Sequence, residues 1–351
     1  MKVLVVDDSA VNRRSISEML SGVPGVRVVG KAANGEEALR LVHITEPDVV
    51  TLDLEMPRMD GFTFLRILMS KRPMPVLVIS SYSQKENVFK ALELGAVDFV
   101  AKPDLLVPGD SSIRDELVAK ISMMRGLHHL KGPTTTTVRS RPPTLAPPDR
   151  PGRKPNRLVV IAASTGGPSA LMEVIGGMPE IVNFSVLIAQ HMPEKFTRTF
   201  AERMDRRSRL RVREAEHDEP IRAGEVLICP GMRCMEVAAV NDELRVRVGH
   251  PLATDRYVPS ADRLFVSAAR AYGSKVIGVV LTGMADDGAK GSLAVRERGG
   301  HVIAESDETA VVFGMPRAVI ELGAASQILP LGEISDALLV LDTPAIGPSQ
   351  S

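Results

Sequence analysis

Short apolar runs alternate with helix-like patterns over residues 1–126. Between the runs, apolar side chains recur at the helical spacing, as at Ala38, Leu39 and Val42. β-Branched runs that alternate with amphipathic helices are typical of a parallel sheet with helices on both faces. We therefore predict a doubly wound α/β domain here. Its predicted strands are Val3–Val6, Val26–Val29, Val49–Leu52, Val76–Ile79 and Phe99–Val100.

The alternation stops between Lys131 and Asn156. This stretch contains the threonine run Thr134–Thr137 and many prolines, and basic residues outnumber its single acid, Asp149. Proline removes backbone donors and blocks helices, and low hydrophobicity leaves little to bury. We predict a semi-extended or disordered basic linker over residues 127–156.

A second α/β pattern begins at Leu158 and predicts another doubly wound parallel-sheet domain over 157–343, followed by a tail at 344–351. The segment from Leu210 to Val248 is less regular, and we expect part of it to be antiparallel. The predicted strands are Leu158–Ile161, Val186–Ala189, Val226–Cys229, Val276–Leu281 and Val302–Ala304. The predicted helices fall around Ser169–Gly176, Phe196–Met204, Ala261–Tyr272, Lys290–Arg298 and Ile334–Leu341.

Composition narrows the class of protein. Hydrophobic residues make up 44% and charged residues 25% of the 351 positions, as in globular proteins. With 43 basic and 43 acidic residues, the net charge of +0 gives no field that favours nucleic acid or an anionic membrane. Two cysteines, Cys229 and Cys234, cannot form a disulfide framework. We find no signal peptide and no apolar run of membrane-spanning length, so we expect a cytoplasmic location without membrane insertion.

Chemistry-bearing residues stand at the ends of the predicted strands in the first domain. Strand one ends in Asp7 and Asp8, strand three in Asp53 and strand four in Ser80, and Lys102 follows strand five. The carboxyl ends of parallel strands share one edge of a sheet, where functional groups collect. Clustered carboxylates suit Mg²⁺, and an aspartate can accept a phosphoryl group as an acyl phosphate. Five such positions in this order predict a phosphate-transfer pocket.

The strongest catalytic signal in the second domain is the turn around Ser164. An apolar strand leads into this serine, two glycines follow it, and Pro168 begins a helix. A strand-turn-helix of this kind exposes a serine at a helix N-terminus, where backbone N–H groups favour anions. Taken alone, the turn fits a phosphate-binding loop as well as a nucleophile.

Two further strand ends favour the nucleophile. His191 follows the next strand, and the adjacent acids Asp286 and Asp287 follow another. Histidine can take the serine proton near neutral pH, and a carboxylate that accepts its Nδ1–H fixes the tautomer. A core or capping histidine and a solvated Asp286 are the alternatives to these assignments.

Residues 1–126 resemble the response-regulator receiver family, which has a flavodoxin-like fold. The loops Glu55–Pro57, Met59–Gly61 and Gly95–Ala96 also match it. The resemblance implies Mg²⁺ as a cofactor and a CheA-type histidine kinase as phosphodonor. The implied roles are phosphoacceptor for Asp53, Mg²⁺ support for Asp7 and Asp8 with Asp53, switch hydroxyl for Ser80, aromatic switch for Phe99 and phosphate-neutralising lysine for Lys102.

Residues 157–343 closely resemble the chemotaxis CheB-type protein-glutamate methylesterase family, which has a Rossmann-like catalytic domain. Ala162 and Ala285 stand where the family commonly has glycine, and spacing to Gly288 favours Asp287 over Asp286. The matching segments are 161–168, 189–193, 281–288, Phe196–Arg198, Pro259–Asp262 and Val312–Pro316. The implied roles are nucleophile for Ser164, general base for His191, orienting acid for Asp287, and site lining with oxyanion contacts for Thr165 and Met284.

Together the two resemblances imply a phosphorylation-activated hydrolase. It would demethylate glutamate methyl esters, and deamidate glutamines, on the cytoplasmic helices of methyl-accepting chemoreceptors. The hydrolase itself would need no cofactor, and no nucleic acid is expected as a partner. Two other hypotheses stay open from sequence: a non-enzymatic binding module controlled by the receiver, and a hydrolase of the same mechanism acting outside chemotaxis.

Overall fold

The computed structural model describes residues 1–81, 84–102, 111–124 and 153–342. The chain divides into two compact units, residues 1–137 and 138–351. The predicted linker lies outside the described residues as far as position 152, as does the predicted tail at 344–351, so both stay predictions. None of the helices in the described ranges combines the length and apolar character needed to cross a bilayer.

The first unit is a five-stranded parallel sheet in the order β2-β1-β3-β4-β5. The predicted doubly wound fold is confirmed. Every residue of β3, β4 and β5 is buried, because helices cover both faces of the sheet. The strands are β1 Lys2–Val6, β2 Arg27–Ala32, β3 Val49–Leu52, β4 Val76–Ser80 and β5 Asp98–Ala101. The helices are α1 Ala10–Leu20, α2 Gly35–Thr45, α3 Gly61–Lys71, α4 Lys85–Glu93 and α5 Ser111–Met123.

Local sequence sets where these helices begin. The side chains of Ser9, Asn34 and Asp60 each accept a backbone N–H three residues later, at the starts of α1, α2 and α3. Gly61, the first residue of α3, passes so close to β3 that a methyl group there would lie 2.7 Å from Leu54 Cα. This close approach brings α3 against the end of the strand that carries Asp53.

The second unit is built on a seven-stranded parallel sheet in the order β14-β13-β12-β6-β7-β9-β8. A separate antiparallel pair is formed by β10 and β11. The strands are β6 Arg157–Ala163, β7 Phe184–Gln190, β8 Arg211–Glu214, β9 Glu225–Ile228, β10 Cys234–Val240, β11 Glu243–Gly249, β12 Val276–Val280, β13 His301–Glu305 and β14 Gln327–Leu329. The helices are α6 Gly167–Gly176, α7 Glu194–Arg207, α8 Ala261–Tyr272, α9 Ala289–Glu297, α10 Met315–Glu321 and α11 Leu331–Asp342.

The expectation that part of the segment from Leu210 to Val248 is antiparallel is confirmed, and the antiparallel strands lie in its second half. The strands β8 and β9 run parallel to each other and to β7, and they extend the main sheet. Among the described residues of this segment, β10 and β11 form an antiparallel pair, and Pro220 makes an isolated antiparallel bridge to Arg245. The strands β8 and β9 are four residues each, too short for their periodicity to show which neighbour they pair with.

The order of strands in the second unit creates a switch point beside β6. From β6 the chain moves to β7 on one side, and it later returns as β12 on the other side. Ligands bind at such points in open α/β sheets, in the crevice beyond the carboxyl ends of the strands. The carboxyl ends of β6, β7 and β12 are therefore neighbours.

Candidate active site and phosphate-transfer pocket

Lys102 joins two carboxylates at the edge of the receiver sheet. Its Nζ lies 2.6 Å from Asp53 Oδ2 and 3.1 Å from Asp7 Oδ2. Burial alone would lower the pKa of Lys102, but the hydrogen bond and charge of Asp53, together with the charge of Asp7, raise it above its ordinary value. Lys102 is therefore held as a cation between the ends of β1 and β3.

The three acids fit a divalent cation. One oxygen from each of Asp7, Asp8 and Asp53 lies within 4.8 Å of the others. Within the described ranges, Asp53 Oδ1 is buried without a hydrogen-bond partner. Burial raises the pKa of Asp53, and the Lys102 ammonium opposes that rise. Hard cations prefer such oxygen ligands, so the open Asp53 oxygen and its two acidic neighbours suit one.

Ser80 is the last residue of β4, and Phe99 lies within β5. Ser80 is buried, and its hydroxyl donates to Gln84 Oε1 at 2.9 Å. The Lys102 N–H donates to the Ser80 carbonyl at 2.7 Å, which joins the ends of β4 and β5. Phe99 is buried, with its ring edge-on to Phe89 at 6.4 Å. The switch roles implied for Ser80 and Phe99 remain predictions.

In the second unit, Ser164 lies directly beyond β6, beside the residue that follows β7. The register pairs Ala163 with Gln190, and the His191 N–H donates to the Ala163 carbonyl at 3.0 Å. The Ser164 N–H donates to the Thr282 carbonyl beyond β12, also at 3.0 Å. Ser164 is half-buried, and these backbone hydrogen bonds fix it between the ends of β7 and β12.

The His191 ring contacts the buried carboxylate of Asp287. Nε2 lies 2.8 Å from Asp287 Oδ2, so the expectation that Nδ1 would face this acid is wrong. Asp287 also accepts the N–H groups of Ala261 at 2.8 Å and Asp262 at 3.0 Å. These N–H groups belong to the first turn of α8, where the helix dipole favours an anion. These hydrogen bonds fix the Asp287 carboxylate, and Nδ1 is the nitrogen of the His191 ring that does not contact it.

No hydrogen bond joins the Ser164 hydroxyl to the His191 ring within the described part of the chain. Catalytic hydrogen bonds are often long before substrate binds, so this does not argue against the pair.

Asp286 points elsewhere than Asp287. Its Oδ1 accepts the Tyr257 phenol at 2.8 Å, and Arg256 Nη1 lies 3.3 Å away. The Asp286 side chain is 53% exposed, whereas Asp287 is 1% exposed. The structure thus brings Asp287, and not Asp286, to the imidazole.

Thr165 follows Ser164 in the turn after β6, and Met284 belongs to the loop after β12. In the described ranges their backbone N–H groups donate to no acceptor. Gly283, the neighbour of Met284, passes so near that a methyl group on it would lie 2.8 Å from Ser164 Cβ. The Thr282 hydroxyl donates to the Thr165 carbonyl at 2.9 Å, which ties the two loops together.

Sequence reasoning missed several polar side chains around this site. The Gln190 amide donates to the carbonyls of Ser164 at 3.0 Å and His191 at 2.9 Å, and so clamps the two loops. Glu305 accepts the Thr282 N–H at 2.7 Å. Gln190 and Glu305 are the last residues of buried apolar strands. A polar residue at such a strand end was the sequence signal that could have identified them.

Two protein-family profiles match the chain. The profile described as CheB methylesterase matches residues 159–338. The profile described as response regulator receiver domain matches residues 3–106. The presence of a receiver domain implies a divalent metal for phosphorylation.

Similar proteins match over nearly the whole chain. A protein-glutamate methylesterase/protein-glutamine glutaminase from Myxococcus xanthus is 47% identical, with 97% of each chain covered. One from Geobacter sulfurreducens is 44% identical, with 97% of this chain and 96% of the relative covered. The crystal structure of the Thermotoga maritima CheB methylesterase catalytic domain is 41% identical with a TM-score of 0.52, covering 53% of this chain and 98% of that one. The chain therefore belongs to the CheB methylesterase family and carries a receiver domain ahead of its catalytic domain.

Proposed function

We propose that this chain hydrolyses glutamate γ-methyl esters on chemoreceptors, and deamidates receptor glutamines, with Ser164 as nucleophile, His191 as general base and Asp287 as orienting acid. Relatives that match 97% of this chain are protein-glutamate methylesterase/protein-glutamine glutaminases. The observation that carries the assignment is the 2.8 Å contact between the buried Asp287 carboxylate and an imidazole whose loop adjoins that of the half-buried Ser164.

The first step follows from the orientation of the imidazole. With Nε2–H donated to Asp287, Nδ1 carries a lone pair and accepts the Ser164 hydroxyl proton. The Ser164 oxygen then bonds to the ester carbonyl carbon. When the tetrahedral intermediate collapses, the bond to the methoxy oxygen breaks, and the proton on Nδ1 leaves with methanol. For a glutamine substrate, the same proton leaves with ammonia.

The Thr165 and Met284 N–H groups are the proposed oxyanion donors. One comes from the turn that carries Ser164 and the other from the loop after β12, and neither has a competing acceptor within the described residues. One such donor is typically worth about 10²–10³ in rate. In the second step, His191 takes a proton from water, the hydroxide oxygen bonds to the acyl carbon, and the Ser164 oxygen leaves with that proton.

The receiver pocket supplies the proposed control. An Asp53 oxygen would attack the phosphorus of a histidine kinase's phosphohistidine, breaking its P–N bond and forming an acyl phosphate. We infer Mg²⁺ as the cation, held by Asp7, Asp8 and Asp53, where it would neutralise charge on the phosphoryl oxygens. Lys102 already lies 2.6 Å from Asp53 and would pair with one of those oxygens. Phosphorylation adds roughly −1.5 to −2 charge, which the Ser80 hydroxyl can sense through a hydrogen bond.

Methanol release tests the proposal. The full chain is incubated with receptor membranes carrying radiolabelled methyl esters, with and without acetyl phosphate, and labelled methanol is measured. We expect Ser164→Ala to abolish release and to block labelling by a fluorophosphonate. Ser169→Ala is the matched control, because Ser169 is an exposed serine of the adjacent helix. Undiminished release from Ser164→Ala would refute the nucleophile assignment, and no release from the native chain would refute the substrate.

A further inference from the structure

Tyr257 lies against the face of the proposed general base. Its ring centroid is 5.6 Å from that of His191, and the planes differ by 20°, which is a stacked arrangement. Tyr257 belongs to the segment between β11 and α8, to which the proposed reaction assigns no role. The imidazole thus has one restraint on its face in addition to Asp287 at its edge.

Two charged residues fix the tyrosine. Its phenol donates to Asp286 Oδ1 at 2.8 Å, and Asp286 also contacts Arg256 Nη1 at 3.3 and 3.4 Å. The Arg256 guanidinium carbon lies 5.1 Å from the Tyr257 ring centroid. Burial and the neighbouring Asp286 raise the pKa of Tyr257 to about 12, so the phenol keeps its proton at neutral pH.

The backbone before the two acids separates their directions. Ala285 has a φ of 70°, in the left-handed region that favours glycine. Beyond this turn, Asp286 reaches outward to Tyr257, while Asp287 reaches inward to His191 Nε2. The two adjacent acids therefore both restrain the His191 imidazole. Asp287 contacts its edge directly, and Asp286 acts through the Tyr257 ring stacked on its face.

We propose that Tyr257 is a positioning residue that, held by Asp286, restricts rotation of the His191 ring, so that Nδ1 can meet the Ser164 hydroxyl when substrate binds. The inference rests on the proposed function of His191 as general base. An Asp287 contact at one nitrogen leaves the ring free to swing about that bond, and a stacked neighbour blocks the swing on one side. The hydroxyl of Tyr257 orients its own ring, and the ring face acts on the imidazole.

The test compares substitutions that keep or remove the ring in the full chain. Tyr257→Leu should lower kcat for methyl-ester hydrolysis by about two- to tenfold, the range that an aromatic pair supports, with little change in KM. Tyr257→Phe should restore most of kcat, because the ring remains. Tyr272→Leu is the matched control. Tyr272 is also half-buried, but it precedes β12 and so lies at the amino ends of the strands, away from the site. Melting curves check that each variant is folded.

Other results would overturn the proposal. Native kcat in Tyr257→Leu would show that the stack does nothing for the base. A rise in KM alone would mean that Tyr257 contacts substrate instead, and equal losses in the Leu and Phe variants would mean that the hydroxyl matters and the ring does not. Ser164→Ala, measured alongside, separates the two levels: if it stays active, the proposed function itself fails, whatever Tyr257 does.

Discussion

Glu305 is a buried carboxylate whose charge should destabilise the catalytic domain as pH rises. It is fully buried at the end of β13, where it accepts the Thr282 N–H at 2.7 Å and the Thr309 hydroxyl at 3.0 Å. No cation pairs with it among the residues that the structure describes. Burial raises its pKa from 4.5 to about 7; the two hydrogen bonds oppose the rise and the charge of Glu173 adds to it.

The direction of the effect follows from proton binding. Between pH 4.5 and about 7 the folded state holds a proton on Glu305 that the unfolded state has lost. The free energy of unfolding therefore falls as pH rises through this window and is flat above it. Between pH 5 and 8 the loss amounts to about 2–3 kcal/mol. Glu305→Gln removes the ionisable group while keeping an oxygen that can accept the Thr282 N–H.

Scanning calorimetry of the full chain measures this. At pH 8 the Gln variant should melt higher than the native chain by about 5–10 °C in the affected transition, and at pH 5 the difference should be small. Glu308→Gln is the matched control, because Glu308 is exposed and only three residues away in sequence. Equal melting temperatures at pH 8, or a gap that is the same at both pH values, would refute the reasoning.

Three further predictions concern the proposed machinery. Asp53→Asn should keep the fold and lose Mg²⁺-dependent, base-labile labelling by acetyl phosphate; label retained by the variant would place the acceptor elsewhere. Asp287→Asn should lower kcat by up to about 10⁴, whereas Asp286→Asn should stay within a few-fold, since an amide oxygen still accepts the Tyr257 phenol; equal losses would contradict the geometry. Residues 157–351 alone should hydrolyse the ester faster than the unphosphorylated full chain, and phosphodonor should not change their rate. A folded fragment no faster than the full chain would show that the unphosphorylated receiver does not inhibit the hydrolase.

Sequence patterns predicted the parts of this molecule that are encoded locally. A strand such as β6 is an unbroken apolar run, and its end is marked by the change to Ser164 and two glycines. Parallel strands bring their carboxyl ends together, so residues at those ends could be grouped before any coordinates were known. This reasoning grouped Ser164 with His191 and Asp287, and Asp7 with Asp53.

The remaining contacts depend on three-dimensional packing. Tyr257 and His191 belong to loops that follow different strands, and no periodicity in the sequence relates them. Sequence patterns also could not predict which imidazole nitrogen faces Asp287, because that depends on the rotation of the His191 ring in the folded site. In the sequence, Glu305 is a polar residue at the end of a strand. The desolvation that raises its pKa comes from elements that pack around it in three dimensions, and the sequence does not show it.

The placement of the second site also bears on synthesis of the chain. The proposed general base and its proposed orienting acid are 96 residues apart, and the strand that leads to the acid, β12, completes the other flank of β6. Translation delivers β6 and β7 first, and β12 only after the β10–β11 pair and α8 have been made. A nascent chain that stops before β12 carries the serine and the histidine but lacks the acid. Hydrolytic activity should therefore emerge only when the domain is nearly complete, so that an abandoned translation product is catalytically silent.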